Sequence, residues 1–139
     1  MPAGYSGTPL VKKLGIKDGH VVSIVDKPPE LRGLLVDLSP SVQLRDGVSG
    51  PTDIALLFVT ERAVFERELP AAAEAIFPNG AIWVAWPKRA SKVPTDMTED
   101  VIRAVALPRK LVDNKVCAIS DVWSGLRVVW RREHRGGKG

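Results

Sequence analysis

Asp53-Ile54-Ala55-Leu56-Leu57-Phe58-Val59 leads through Thr60-Glu61 into a helical stretch, which returns at Pro78-Asn79-Gly80 to Ala81-Ile82-Trp83-Val84-Ala85-Trp86. The reading of this segment decides the fold. Both ends are apolar without alternation, as in strands covered on two faces. Between them Val64, Phe65, Leu69, Ala72, Ala73, Ile76 and Phe77 keep near-helical spacing. Thr60 is expected to cap this stretch, with Glu61 in its first turn. Pro70 is expected to open a second helical segment. Strand, helix, strand with buried faces makes a parallel crossover unit.

Toward the N-terminus, His20-Val21-Val22-Ser23-Ile24-Val25 reads as another buried strand, and Leu10 to Leu14 as a short helix stopped by Gly15. Asp26-Lys27-Pro28-Pro29-Glu30 is expected to start a helix, capped by Asp26 or Lys27, with a proline in its first turn. Leu31, Leu34 and Leu35 would be its buried side and Ser39-Pro40 its end, before a short strand at Val42-Gln43-Leu44. Toward the C-terminus, residues 87–97 form a polar loop. Thr98 caps a helix with Glu99 and Asp100 at its start and Val101, Ile102, Val105 and Ala106 facing inward, limited by Pro108. Lys115–Ile119 and Leu126–Arg131 read as an antiparallel hairpin whose loop, of about six residues, ends in Ser124-Gly125. The expectation is an α/β three-layer sandwich with a mostly parallel sheet of about six strands and an antiparallel C-terminal hairpin. Residues 1–132 make one domain; residues 133–139 make a basic tail expected to be disordered.

With 139 residues, 45% of them hydrophobic, the chain can build a core without a covalent or metal staple. One cysteine, Cys117, and two histidines, His20 and His134, exclude an internal disulfide and a zinc site of usual spacing. No run approaches the ~20 apolar residues of a membrane helix, and the start lacks a charged-then-apolar signal pattern. A soluble, cytoplasmic protein is expected. The formal net charge is +4. Most of it sits in the last nine residues, where Arg131, Arg132, Arg135 and Lys138 stand against Glu133. Such an end suits weak nucleic-acid binding, although it offers no aromatic side chain for base stacking.

The second half, from Asp53 through the helix, Pro78-Asn79-Gly80, the Thr98 helix and the final hairpin, resembles the closing half of class I methyltransferase-like Rossmann domains. The first half is shorter and lacks a strand–helix unit of that plan. At a closer level, four segments resemble an uncharacterised bacterial family filed as a domain of unknown function. They are Gly4-Tyr5-Ser6-Gly7-Thr8-Pro9-Leu10, Trp86-Pro87-Lys88, Pro94-Thr95-Asp96-Met97-Thr98-Glu99-Asp100 and Val122-Trp123-Ser124-Gly125-Leu126. That resemblance implies the Rossmann-like fold and no activity.

A cofactor-binding Rossmann domain needs glycines straight after its first strand. Asp26-Lys27-Pro28-Pro29 stands there instead, and two prolines remove two N–H donors. No cofactor is therefore expected in the usual mode; S-adenosylmethionine or a nucleotide is the less favoured alternative. Ligands of open α/β sheets bind at the carboxyl ends of the parallel strands. The loops expected there offer Asp26, Asp46, Trp86, Lys88, Trp123 and Ser124, a rim suited to a planar anionic ligand. Asp46 could hold ribose hydroxyls. Arg89, Lys92, Thr95 and Thr98, just before a helix N-terminus, could take a phosphate. Nucleophilic catalysis has little support, because Ser124 lacks the first glycine of a nucleophile elbow and Cys117 sits mid-strand between apolar neighbours. Neither catalytic residues nor a metal site are expected. The sequence thus favours a small non-catalytic binding or regulatory domain with a degenerate methyltransferase-like fold. The alternatives are a transferase-like enzyme with an atypical cofactor site, and weak nucleic-acid binding through the tail.

Overall fold

The apolar run at residues 54–58 forms strand β3 (Ile54–Phe58), buried along its whole length. The computed structural model describes residues 9–136. Around β3 lie β1 (Val21–Val25), β2 (Gln43–Asp46), β4 (Ala81–Pro87), β5 (Leu111–Ala118) and β6 (Trp123–Trp130), in the six-stranded order β2-β1-β3-β4-β6-β5. The first four strands are parallel, with Val22 opposite Ile54 and Ile54 opposite Ala81. β6 runs antiparallel to both β4 and β5, so β5 points the same way as the parallel strands.

Helices cover both faces, as a sheet of continuous apolar strands requires. On one face α3 (Arg62–Ile76) and α4 (Glu99–Ala106) bring Phe65, Leu69, Ile102 and Val105 onto Ala55, Leu57, Ile82 and Val84. On the other, α1 (Leu10–Lys13) and α2 (Leu31–Leu34) set Leu14, Leu31 and Leu35 against Val22, Leu56 and Trp83. The buried Trp83 indole donates its Nε1–H to the Leu14 carbonyl at 3.0 Å, which ties the end of α1 to the sheet centre. Gly15, at φ 78°, then turns the chain away. No helix among the described residues is long and apolar enough to cross a membrane.

Several local expectations give way to stronger constraints. α2 begins at Leu31, and neither Asp26 nor Lys27 caps it. A residue before proline is driven out of the helical region, so Lys27 and Pro28 cannot join a helix. It also stops at Leu34 instead of continuing to Ser39, with Gly33 inside its single turn. Thr60 is not the cap of α3. That helix starts at Arg62, whose N–H donates to Asp96 Oδ1 at 2.7 Å. The Thr60 carbonyl instead accepts the Thr95 hydroxyl at 2.6 Å and the Asp96 N–H at 3.3 Å. Pro70 opens no second segment, because α3 continues through it. Pro70 and Glu66 both lie on the exposed side, where water can satisfy the carbonyl that loses its partner.

The hairpin is longer than expected and its loop is only residues 119–122. A register shift between Asp113 and Lys115 breaks the alternation that would mark β5. Gly125 belongs to β6 and not to the turn. A Cβ there would stand 2.8 Å from Ile119 Cδ1 and 3.2 Å from Trp83 Cε3, so the glycine admits close packing. After β6, Arg132–His134 makes a 3-10 turn, and Arg135 Nε donates to the Trp130 carbonyl at 2.8 Å. Ser6, the Gly4–Thr8 stretch and Lys138 lie outside the described residues.

Candidate functional site

The chain crosses from β1 to β2 over the α2 face and from β3 to β4 over the α3 face. Strand order therefore reverses between β1 and β3, and the carboxyl ends on either side of such a reversal are where open α/β sheets bind ligands. Asp26 follows β1 at φ 56°. A non-glycine residue in the left-handed region is uncommon, and aspartate tolerates it better than most. Strain of this kind concentrates at functional sites. Asp46 closes the neighbouring strand β2 with its side chain 86% exposed. Its Oδ1 stands 3.7 Å from Lys27 Nζ. An exposed pair at that distance contributes little to stability, so both groups can turn to a ligand. The Gly47 N–H donates to the Ile24 carbonyl at 2.7 Å and anchors this corner.

The turn itself does not supply a backbone cradle. Pro28 and Pro29 have no N–H, Pro28 is buried, and the Pro28 carbonyl accepts the Leu31 N–H at 3.1 Å. What the turn offers is side chains, with no glycine-rich loop.

Trp86 and Trp123 reach the same sheet edge but different faces. Trp86, next to last in β4, lies within the α3–α4 core, 9% exposed, and its register partner Ser124 points to the same side. Trp123, one residue before Ser124, necessarily points to the other side. Its ring meets Phe58 edge-on at 5.1 Å, and its Nε1–H donates to Glu30 Oε2 at 3.1 Å. The two indoles therefore do not form one stacking platform, and Trp123 clasps the loop before α2 to the end of β3. Lys88 is anchored through its backbone, its N–H donating to the Val122 carbonyl at 2.7 Å and its carbonyl accepting the Ser91 hydroxyl at 2.7 Å.

In the loop after β4, the hydroxyls expected for phosphate have internal partners. Thr98 accepts the Val101 N–H at 3.1 Å as the cap of α4, and Thr95 donates to Thr60. Arg89 begins a 3-10 turn that Lys92 follows, and both stay exposed. Sequence reading missed Asp96, whose carboxylate caps α3 across 34 positions, and Glu30. It also missed Lys27 as the partner of Asp46. Elsewhere, a 3.1 Å hydrogen bond to Asp113 raises the Arg103 pKa and joins α4 to β5. Burial raises the Cys117 thiol, with Lys13 and Lys115 pulling it partly back. The described residues contain no cluster of histidine, cysteine and carboxylate groups able to hold a metal ion.

This arrangement is the α/β Rossmann-like fold of the class I S-adenosylmethionine-dependent methyltransferases. A methyltransferase of that kind from Aquifex aeolicus is similar over 90% of this chain and 89% of its own, at 11% identity and TM-score 0.61. The ribosomal protein L11 methylase of Lactobacillus delbrueckii subsp. bulgaricus is similar over 88% of this chain and 75% of its own, at 9% identity and TM-score 0.59. The Bacillus subtilis m1A22 tRNA methyltransferase TrmK matches over 89% of this chain and 66% of its own, at 10% identity and TM-score 0.55. No family model and no curated protein matches the chain.

Proposed function

We propose that the protein is a transferase-like domain that binds an adenosyl ligand, S-adenosylmethionine or its demethylated product, at the carboxyl ends of β1 and β2. Side chains hold the ligand in place of a glycine-rich loop. The observation that carries this reading is the exposed carboxylate of Asp46 beside the left-handed Asp26 at the strand-order reversal. Asp46 accepts the ribose hydroxyls, Lys27 meets the carboxylate of the amino-acid end, and Asp26 suits its ammonium group. The likeness to methyltransferase structures supports this over the non-catalytic module expected from sequence.

Isothermal titration with S-adenosylmethionine, S-adenosylhomocysteine and adenosine tests it. Saturable binding is expected, weakened by Asp46→Ala. Hydrogen bonds to a charged group contribute ~1.5–3 kcal/mol, which corresponds to about 10- to 150-fold in Kd. Absence of binding by all three compounds at millimolar concentration, or identical affinity in Asp46→Ala, overturns the reading.

A further inference from the structure

The side of the β5–β6 hairpin that faces α1 carries a second chemistry, independent of the adenosyl reading. A cavity of about 250 Å³ opens between α1 and the β5–β6 hairpin, with Lys12, Lys13, Lys115 and Arg127 in its lining and no carboxylate among them. It adjoins a cavity of about 570 Å³, with which it shares Gly15 and Arg127.

The cations are placed against the ordinary rules of sheet pairing. Lys115 and Arg127 are direct register partners on β5 and β6, and like charges directly opposite destabilise a sheet. The register shift that ends at Lys115 is a device that re-aims a side chain. Among the described residues none of the four cations makes an ion pair. The Arg127 guanidinium donates to the neutral Asn114 Oδ1 at 3.2 Å, and Lys13 Nζ donates to the Ala118 carbonyl at 3.1 Å. Burial and the nearby Arg135 push the Arg127 pKa down, as for a guanidinium short of negative charge.

We propose that this site binds a small organic phosphate, with its phosphoryl groups among Lys12, Lys13, Lys115 and Arg127 and its uncharged body in the larger cavity. The division follows from the lining. The smaller cavity is below the ~300–1,000 Å³ of sites that enclose a whole drug-sized ligand, and its cations match phosphoryl oxygens. The larger one receives the C-terminal end of α3 through Ala75, Ile76 and Phe77. That end of a helix dipole repels anions. His20 and Asn79 offer hydrogen bonds there, while the carboxylate of Asp53 is engaged by the Val21 N–H at 2.8 Å.

The test is calorimetric titration of the full chain with inorganic pyrophosphate at low salt, with sulfate at matched ionic strength as control and single-stranded DNA as a second arm. Lys12→Gln and Lys115→Gln change exposed side chains and leave the fold intact, and Arg127→Gln is the third variant. Saturable pyrophosphate binding is expected, at least tenfold weaker in Lys115→Gln and Arg127→Gln and unchanged in Asp46→Ala. The last result separates this site from the carboxyl-end crevice. Equal binding in all variants, sulfate as effective as pyrophosphate, binding lost in Asp46→Ala, no binding at all, or binding of DNA alone overturns the proposal.

Discussion

Gly80→Ala adds one methyl group where the structure has no room for it. Gly80 joins the end of α3 to the start of β4, and its N–H donates to the Ile76 carbonyl at 2.8 Å. The next residue, Ala81, donates to the Asp53 carbonyl at 3.0 Å, the first link between β4 and the β3 segment. A Cβ on residue 80 would stand 2.7 Å from the Asp53 oxygen, 2.9 Å from the Ile76 oxygen and 3.0 Å from Ile76 Cβ. Two of these atoms are backbone acceptors within those same hydrogen bonds, so relief requires the helix end or the strand start to move. Overpacking costs about 1–3 kcal/mol, and each weakened hydrogen bond adds roughly 0.5–1.5 kcal/mol. A loss of about 3 kcal/mol is expected. At roughly 4 °C per kcal/mol for a domain near this size, Tm falls by about 12 °C. Circular-dichroism melts and urea midpoints measure it. Gly33→Ala is the control of opposite sign, because nothing lies within 4 Å of a Cβ there and the residue is helical. It should stabilise by roughly 0.5–1 kcal/mol. A Gly80→Ala protein melting within about 2 °C of wild type refutes the reasoning, as does a Gly33→Ala protein that loses as much as Gly80→Ala.

Asp96→Ala removes the acceptor for the Arg62 N–H and should cost about 1 kcal/mol, with faster amide exchange in the first turn of α3; Asp96→Asn should retain most of the stability. Trp83→Phe leaves the buried Leu14 carbonyl without its donor and opens space at the sheet centre, so a loss of roughly 2–3 kcal/mol is expected in urea titrations. Because burial raises the Cys117 pKa in the folded state, the unfolded thiol ionises first as pH rises. Its contribution to stability is therefore full below the ordinary thiol range and falls as pH climbs through and above it. Denaturation midpoints measured across that range should decline less steeply in Cys117→Ala than in wild type.

Much of the scaffold is legible in the sequence because its signals are local. The apolar runs of β1, broken only by Ser23, and of β3 and β4 are short and bounded by turn residues, which reads as strands covered on both faces, and Thr98 with Glu99 and Asp100 marks the start of α4. The loop after β1 is harder to read. Its prolines look like a helix start, yet each proline bars the residue before it from the helix. The α3 cap is invisible locally because Asp96 reaches Arg62 from beyond β4. The two tryptophans show why the rim could not be assembled from sequence. Both belong to the carboxyl edge, but strand register sets Trp86 opposite Ser124, which turns Trp123 to the other face. The Lys115–Arg127 pair is likewise a product of register, since the shift at Asp113 fixes which residues of the hairpin face each other. Asp26 and Asp46 depend only on where β1 and β2 end, and the structure places both at the carboxyl ends of those strands.

The central claim is that the carboxyl ends of β1 and β2 bind an adenosyl ligand. It is tested most directly by following backbone amide resonances while S-adenosylhomocysteine is added. The expected result is saturable shifts concentrated at Asp26, Lys27, Asp46, Gly47 and Thr60, with saturation in Asp46→Ala needing about 10- to 150-fold more ligand. Resonances that stay unmoved at millimolar ligand, or shifts confined to Lys12, Lys115 and Arg127 beside the β5–β6 hairpin, would contradict it.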